Sequence, residues 1–279
     1  MRSLIVPSRR TASVLAFVLV PLFYSLSATA QMPTEPAQNT YIEGAVLWQQ
    51  SSGERRALSY QAFTLARMIL DRDLRVNRSL RKPRAVIVDL DETILDNSPA
   101  EGWLLQNRVN YNQKNWTEWI NRVEATAVPG SVEFLSYAAS RGVRVFYITN
   151  RNDIQKAATA ANLRKLGFPG VNDQTLLVQT DPKNSSKEPR RQEVGAKYRV
   201  VLLMGDDLND FAKVFEDSKT VESRAAAADR LRNEFGQRFI VLPNPMYGNW
   251  ESAINGYNFK LTEAEKAEKR RSLLKSYAP

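Results

Sequence analysis

Five short apolar runs, separated by longer segments of helical pattern, constrain the fold of this 279-residue chain most strongly. Three of the runs are almost uniformly apolar and rich in Val and Ile, which is typical of strands buried on both faces of a sheet. Helical periodicity between them, for example over 153–166 and 223–235, predicts an α/β fold with a doubly wound, mostly parallel sheet. The five runs are Ala85–Leu90, Val143–Ile148, Thr175–Val178, Val200–Met204 and Phe239–Leu242.

Two segments do not fit a simple alternation of strand and helix, and they predict a smaller helical domain. Residues 41–75 carry one apolar face at helical spacing, and 97–141 is too long for a single crossover between strands. The organisation that we predict is a signal peptide at 1–30, a flexible leader at 31–40, helices of the small domain at 41–80, a core α/β domain at 81–96, a small helical insertion at 97–141, the core again at 142–260 and a C-terminal helix or tail at 261–279.

The chain contains no Cys and no His, which excludes several kinds of chemistry. No disulfide framework, thiolate nucleophile, Cys/His zinc site or Ser-His-Asp triad can form. Catalysis must therefore use carboxylates, Lys or Arg, hydroxyl groups or a bound metal. A metal held by carboxylates alone would be a hard cation, and Mg²⁺ is the first expectation.

The first thirty residues have the pattern of an export signal. Three arginines form a basic start, an apolar run follows over 12–26, and Ala28-Thr29-Ala30 fits a cleavage site. The alternative is a membrane anchor, but the run is short for a span and Pro21 interrupts it. Because no Cys follows the run, lipid attachment is not expected. We expect a periplasmic or secreted protein with no membrane span in the mature chain.

The charge of the chain gives only weak information about partners. A formal net charge of +9 is compatible with anionic substrates such as phosphate esters, and is equally common on proteins without them. Since no dense basic run is interleaved with aromatic residues, an obligate nucleic-acid partner is not expected. The sequence does not determine the oligomeric state, and a homodimer stays open.

A pair of acids follows the first apolar run, in the segment Asp89-Leu90-Asp91-Glu92-Thr93. Ligands of open α/β sheets bind beyond the carboxyl ends of the strands, so two carboxylates delivered there predict a site. Burial of either carboxylate without a partner would cost much free energy. The alternative interpretation is an Asp helix cap whose neighbour forms a surface ion pair.

An acid cluster follows the fourth run, in Gly205-Asp206-Asp207-Leu208-Asn209-Asp210. Three carboxylates within five residues repel one another, and a divalent cation is the usual physical solution. Gly205 allows the backbone to turn closely before the acids. A polar loop that caps a helix is the weaker alternative here.

Two further segments supply groups that suit phosphate oxygens. Thr149-Asn150-Arg151 follows the second run, where hydroxyl, amide and backbone N–H groups can bind an anion; a helix cap is the alternative. The basic segment 183–191 contains Lys183 and Lys187, and a lysine here could neutralise both a phosphate and a nucleophilic carboxylate. A solvated charge run is the alternative for this segment.

Taken in order, these motifs resemble those of the haloacid dehalogenase superfamily, which has a Rossmann-like core. Within it, three longer segments resemble the class C bacterial acid phosphatases, most closely those of the lipoprotein e type of 5′-nucleotidase. The resemblance covers residues 49–257, nearly the whole mature chain. One departure is the lack of the N-terminal Cys that anchors the lipoprotein e type. The three segments are Leu90-Asp91-Glu92-Thr93-Ile94-Leu95-Asp96-Asn97-Ser98-Pro99, Phe146-Tyr147-Ile148-Thr149-Asn150-Arg151 and Leu242-Pro243-Asn244-Pro245-Met246-Tyr247-Gly248-Asn249-Trp250-Glu251.

The resemblance implies a role for each candidate residue. Asp89 would attack phosphorus, and Asp91 would act as general acid and then general base. For the lysine that holds both the phosphate and Asp89, Lys187 is the first choice and Lys183 the second. The other implied roles are Mg²⁺ ligation by Asp89, the Asp91 backbone carbonyl and Asp206, support of that site by Asp207 and Asp210, phosphate binding by Thr149, Asn150 and Lys187, and stacking on a nucleobase by Trp103 and Tyr247.

The resemblance thus implies a magnesium-dependent acid phosphatase that hydrolyses phosphomonoesters, 5′-nucleotides among them, through an aspartyl-phosphate. A phosphoprotein phosphatase of the same superfamily is an alternative, because Asp-Leu-Asp-Glu-Thr also opens its motif. A dehalogenase fits less well, since halide departure does not require the acid at Asp91. The alternative from another class is a non-catalytic surface protein that binds a nucleotide or haem. For Trp103 and Tyr247 the alternative to stacking is simple packing in the core.

Overall fold

A parallel sheet at the centre of the protein carries the site. The computed structural model describes residues 40–76 and 82–277. The large sheet is accompanied by one short antiparallel ribbon formed by the second and third strands. The strands are β1 (Arg84–Val88), β2 (Leu95–Asp96), β3 (Thr126–Ala127), β4 (Arg144–Asn152), β5 (Leu176–Gln179), β6 (Arg199–Gly205) and β7 (Phe239–Val241).

The large sheet has the order β5-β4-β1-β6-β7, and every neighbouring pair in it is parallel. The predicted doubly wound sheet is thereby confirmed, with all five strands at the predicted runs. From β1 the chain builds outward through β4 and β5 on one side, and then through β6 and β7 on the other. The order therefore reverses at β1, and a crevice forms beyond the carboxyl ends of β1, β4 and β6.

Helices occupy the connections between the strands. Thr262 caps the last helix: its hydroxyl accepts from Glu265 N–H, and the Glu265 side chain accepts from Thr262 N–H. In the described ranges the α-helices are α1 (Glu43–Ser51), α2 (Gly53–Val76), α3 (Ser98–Asn107), α4 (Gln113–Arg122), α5 (Ser131–Ser140), α6 (Lys156–Lys165), α7 (Glu188–Lys197), α8 (Lys213–Asp217), α9 (Val221–Arg230), α10 (Asn249–Ile254) and α11 (Glu263–Ser272).

Both faces of the sheet are covered by apolar side chains, which explains why β1 reads as a continuous apolar run. Val86 and Val88 point into one buried cluster, together with Leu70 of α2 and Leu135 of α5. The alternate residues of the strand point into a second cluster on the opposite face, which includes Phe215 of α8. This is the layered helix–sheet–helix arrangement of a doubly wound fold.

Helices α2 and α5 lie against the sheet, although the division drawn from the sequence assigns both to the small domain. Helices α1 and α3 pack on each other, and α4 contacts α6. The division into a core and a small domain stays a prediction. The predicted signal peptide and all of the predicted leader before Thr40 lie outside the described residues.

Among the described helices, none combines the length and the apolar composition that crossing a bilayer requires.

Candidate active site

The predicted site residues converge at the reversal point of the sheet. Asp89 directly follows β1, and Asp206 directly follows β6. Thr149 lies near the end of β4, where the pairing with β5 shifts register between Ile148 and Asn152. Lys187 immediately precedes α7 and reaches back to the same crevice.

Lys187 joins two buried carboxylates. Its ammonium donates to Asp89 Oδ1 and, at 2.6 Å, to Asp210 Oδ1. Burial, with repulsion from Asp210 and Asp91, raises the pKa of Asp89 to about 7, although Lys187 acts in the opposite direction. The pKa of Lys187 is raised despite its burial, because both carboxylates stabilise its charged form. The structure thus brings Lys187, rather than Lys183, onto the predicted nucleophile.

Three carboxylates form a group that could hold a metal ion. One oxygen each of Asp89, Asp206 and Asp210 lies within 4.8 Å of the other two. Burial raises the pKa of Asp206 and Asp210, and each is raised further by a neighbouring carboxylate. An all-oxygen, anionic donor set of this kind fits a hard divalent cation such as Mg²⁺. Asp210, predicted only to support the site, contributes its own carboxylate to this group.

The Asp206 side chain is held by neutral donors on both oxygens. Thr93 donates to Oδ1 at 3.1 Å, and Asn244 Nδ2 donates to Oδ2 at 2.8 Å. Because neither donor carries a charge, neither cancels the negative charge that the cluster presents. These contacts fix the orientation of Asp206 and leave the charge of the cluster available to a cation.

The loop after β6 is shaped by Gly205 and Asp207. A side chain at Gly205 would overlap the Asp210 carboxylate, so only glycine allows the two to approach. Asp207 turns away from the cluster: its Oδ2 accepts from Asn249 N–H at 2.6 Å, and its Oδ1 is paired with Arg224 at 3.2 Å. Asp207 therefore anchors the loop that presents its neighbours, in line with a supporting role.

The Asp91 carboxylate is bound by donors outside the three-carboxylate group. Its Oδ1 accepts from Arg151 Nη2 at 2.7 Å and from Asn97 Nδ2 at 2.9 Å. It is not one of the three acids of that group, and the predicted metal ligand from this residue is its backbone carbonyl. The carboxylate itself borders the cleft, where it could exchange a proton with a bound molecule.

The other two predicted phosphate-binding residues, Thr149 and Asn150, lie at the end of β4. Thr149 is fully buried, and its hydroxyl accepts from Arg151 N–H at 3.1 Å. Asn150 borders the cleft, where its amide nitrogen donates to Ser185 O at 3.0 Å and its Oδ1 accepts from Arg190. Arg190 also donates to Thr149 O, which ties the end of β4 to the segment before α7.

A cleft of about 1120 Å³ opens above these residues. Tyr247 lines it, but Trp103 is not among the described residues that do so. On α3 the residues that face the cleft are Glu101 and Leu104, and Trp103 lies on another side of the helix with 47% of its surface exposed. The structure instead brings Tyr111 to the cleft.

Several residues of the site were not assigned a role from the sequence. Arg151, Asn97 and Asn244 contact Asp91 or Asp206, and Tyr111 and Trp116 line the cleft. The first three lie inside the motif segments that resemble class C acid phosphatases, so their position in those segments was the available signal. Tyr111 lies in the irregular segment before α4 and Trp116 lies on α4, and neither belongs to a motif segment that could have marked it.

A doubly wound sheet with Asp-x-Asp after its first strand, a lysine on the first of these acids and an acid cluster after β6 defines a phosphatase of the haloacid dehalogenase superfamily. A sequence model of that superfamily's subfamily IIIB, the acid phosphatases, matches residues 24–250. The chain belongs to this family.

Two solved structures of the class C acid phosphatase from Bacillus anthracis are similar to the protein. One superposes with a TM-score of 0.82 at 41% identity, covering 87% of this chain and 100% of that one. The second, with tungstate bound, gives a TM-score of 0.81 at 41% identity and covers 87% and 99%. A stem 31 kDa glycoprotein of Glycine max is 24% identical over 242 residues, which is 83% of this chain and 82% of the relative.

These findings confirm the predicted resemblance and the prediction that the protein is an enzyme. It is an acid phosphatase that acts on small phosphomonoesters.

Proposed function

We propose that the enzyme is magnesium-dependent and hydrolyses 5′-nucleotides through an aspartyl-phosphate formed on Asp89. One observation carries the proposal: Asp89 accepts a hydrogen bond from the Lys187 ammonium and lies beside the carboxylates of Asp206 and Asp210. A buried carboxylate that contacts an ammonium group and belongs to a group of acids able to bind a metal has the surroundings that a nucleophile for phosphorus needs.

In the proposed first step, a carboxylate oxygen of Asp89 attacks phosphorus and the bond to the leaving oxygen breaks. Asp91 donates its proton to that oxygen, so the alcohol leaves neutral. Lys187, Thr149 and Asn150 bind the phosphate oxygens, where the positive charge and hydrogen bonds offset the negative charge of the transition state.

In the second step, Asp91 accepts a proton from water as the water oxygen bonds to phosphorus. The bond between Asp89 and phosphorus breaks, phosphate leaves, and Asp91 is again protonated for the next cycle. The same carboxyl group therefore serves both steps, once as acid and once as base.

Asp89, Asp206 and the Asp91 backbone carbonyl would hold Mg²⁺, with Asp207 and Asp210 supporting the site. When bound, the metal supplies positive charge that reduces the repulsion between an anionic nucleophile and an anionic substrate. The three-carboxylate group supports this part of the proposal, since its oxygens are close and their pKa values are raised.

Tungstate in the Bacillus anthracis structure supports a phosphate site, because tungstate is a tetrahedral oxyanion like phosphate. The aromatic lining of the cleft supports a flat leaving group such as a nucleobase. Export to the periplasm or the medium remains a proposal that rests on the pattern of residues 1–30.

The proposal is tested with p-nitrophenyl phosphate and the Asp89→Asn variant, with and without Mg²⁺. We expect wild-type turnover that needs Mg²⁺, and none for the variant, which keeps its fold by circular dichroism. Retained activity in the variant would contradict the assignment of Asp89 as the nucleophile. A panel of 5′-nucleotides, sugar phosphates and phosphopeptides then tests substrate class, and a preference for phosphopeptides would favour the phosphoprotein phosphatase instead.

A further inference from the structure

Arg151 is a buried arginine whose guanidinium is committed to one carboxylate. Only 2% of its surface is exposed, at the end of β4. Its Nη2 and Nε donate to Asp91 Oδ1 at 2.7 and 3.0 Å, whereas the contact of Nε with Oδ2 is longer, at 3.3 Å. The planar guanidinium therefore forms shorter hydrogen bonds with Oδ1 of Asp91 than with Oδ2.

Asn97 adds a third donor to the same oxygen. Its Nδ2 donates to Asp91 Oδ1 at 2.9 Å. The amide cannot turn round, because its own Oδ1 accepts from Trp119 Nε1 at 2.8 Å and from Arg151 Nη2 at 3.2 Å. Asp91 Oδ1 thus receives three hydrogen bonds, and Oδ2 is the oxygen left to exchange a proton with another group.

We propose that Arg151 and Asn97 are positioning residues for proton transfer: they hold Asp91 so that Oδ2 faces the leaving oxygen. This inference rests on the proposed role of Asp91 as general acid and base. In the first step the proton moves from Oδ2 to the leaving oxygen as its bond to phosphorus breaks, and in the second Oδ2 takes a proton from the attacking water.

The surroundings of Arg151 prevent it from following a rotating Asp91. Its Nη1 donates to Thr159 Oγ1 at 3.2 Å on α6, and its guanidinium lies over the Trp116 ring at 5.6 Å. Trp116 also lines the cleft. The same ring therefore contacts the positioning arginine and borders the space for the leaving group, so the insertion supports the acid as well as the substrate.

Arg151 could instead form a purely structural ion pair with Asp91. Substrates with different leaving groups distinguish this role from a positioning role. Departure of an alkoxide needs a proton, whereas p-nitrophenolate leaves readily without one. A misplaced acid slows alkyl phosphates selectively, while general damage to the site slows every substrate alike. The constant to compare is kcat/KM, since it excludes hydrolysis of the phosphoenzyme.

The experiment measures kcat/KM of Arg151→Gln, Arg151→Lys and Trp119→Phe with 2-glycerophosphate and p-nitrophenyl phosphate in saturating Mg²⁺. For Arg151→Gln we expect a loss of about 100-fold with 2-glycerophosphate and of about 3-fold with p-nitrophenyl phosphate. Arg151→Lys should recover part of the selective loss. Trp119→Phe keeps an aromatic ring but removes the indole donor, which leaves Arg151 Nη2 as the donor on Asn97 Oδ1. This variant should show a smaller loss of the same selectivity.

Equal losses with both substrates in the folded Arg151 variants would overturn the inference. If the Arg151 variants do not fold, Trp119→Phe decides: an unchanged ratio of the two kcat/KM values overturns it, and a shifted ratio supports it. Asp91→Asn, measured alongside, separates this inference from the proposed function. A uniform loss in Asp91→Asn refutes Asp91 as the acid, whereas a selective loss there with uniform losses at Arg151 refutes only the positioning role.

Discussion

Lys187 Nζ lies 2.6 Å from Asp210 Oδ1 while it also donates to Asp89, so one buried ammonium joins two carboxylates. Neither acid could be buried as an anion beside the other without this charge, because burial raises the pKa of both and repulsion from Asp210 raises that of Asp89 further. Since Asp206 adds a third carboxylate, the cluster still carries an excess of negative charge. That excess is what a divalent cation would neutralise.

Replacing Lys187 should remove activity, whereas replacing Lys183 should not. Lys187→Met takes away the donor on Asp89, and we expect kcat/KM with p-nitrophenyl phosphate to fall by about 10²–10³-fold. Lys183 lines the same cleft with an exposed side chain, so Lys183→Met is the matched control, with a change below about threefold. Similar losses in both variants would refute the assignment of Lys187.

Removal of the metal should be reversible and should lower stability. A chelator is expected to stop turnover, and added Mg²⁺ to restore it, while Mg²⁺ at 100 times its Kd should stabilise the fold by about 2.7 kcal/mol. In Asp206→Asn this stabilisation should largely disappear. Asp217→Asn alters an acid of the same cleft outside the cluster and should keep it. Thermal unfolding with and without Mg²⁺ checks this, and turnover in excess chelator would contradict it.

The stability of the metal-free enzyme should depend on the ionisation of Asp89. Its pKa of about 7 lies above that of an unfolded aspartate, near 4, so between these values the folded state holds a proton that the unfolded state has lost. The free energy of unfolding therefore falls as the pH rises from about 4 to about 7. Asn cannot titrate, so Asp89→Asn should escape this loss.

Urea unfolding in a chelator at several pH values measures the effect as the difference between Asp89→Asn and the wild type. The difference should grow with pH by a few kcal/mol at most, because one unit of pKa corresponds to about 1.4 kcal/mol. Parallel curves would show that Asp89 does not titrate in this range. With saturating Mg²⁺ the growth should be suppressed, since cation binding favours the ionised carboxylate.

The fold was predictable from the sequence because buried parallel strands appear as continuous apolar runs. The positions of Asp89 and Asp206 were predictable too, because each directly follows such a run and therefore lies at the end of a strand. The end of β4 was harder to predict from the sequence. Residues 149–152 are polar, yet they extend the strand through an irregular register. The β2–β3 ribbon has two residues in each strand, too few for any periodicity to appear.

Contacts that depend on side-chain packing were not predictable in this way. Lys183 and Lys187 lie in one irregular segment, and only the tertiary structure shows which of them reaches Asp89. Arg151 lies inside one of the three motif segments. Its hydrogen bonds to Asp91, however, depend on how β4 packs beside the loop after β1. The face of α3 that borders the cleft depends on where that helix begins, which is why Trp103 is placed on another side.

Tyr111 should contribute more to nucleotide binding than Trp103. Its ring borders the cleft 6.3 Å from the Trp116 ring. Although 58% of its surface is exposed, partial desolvation of the hydroxyl and repulsion from Asp91 and Glu101 raise its pKa. The ring thus borders the same cleft as Asp91, the proposed general acid. We expect Tyr111→Ala to lower kcat/KM for 5′-nucleotides by about tenfold, since stacking of one base contributes about 1–3 kcal/mol.

The same variant should change kcat/KM for 2-glycerophosphate by less than about threefold, because that substrate has no ring to stack. Trp103→Ala removes a ring of the same insertion that does not line the cleft, and serves as the control, with equal and small effects on both substrates. Assays of the two variants against both substrates check the prediction. A selective loss of nucleotide hydrolysis in Trp103→Ala but not in Tyr111→Ala would show that the base binds against the outer side of α3 instead.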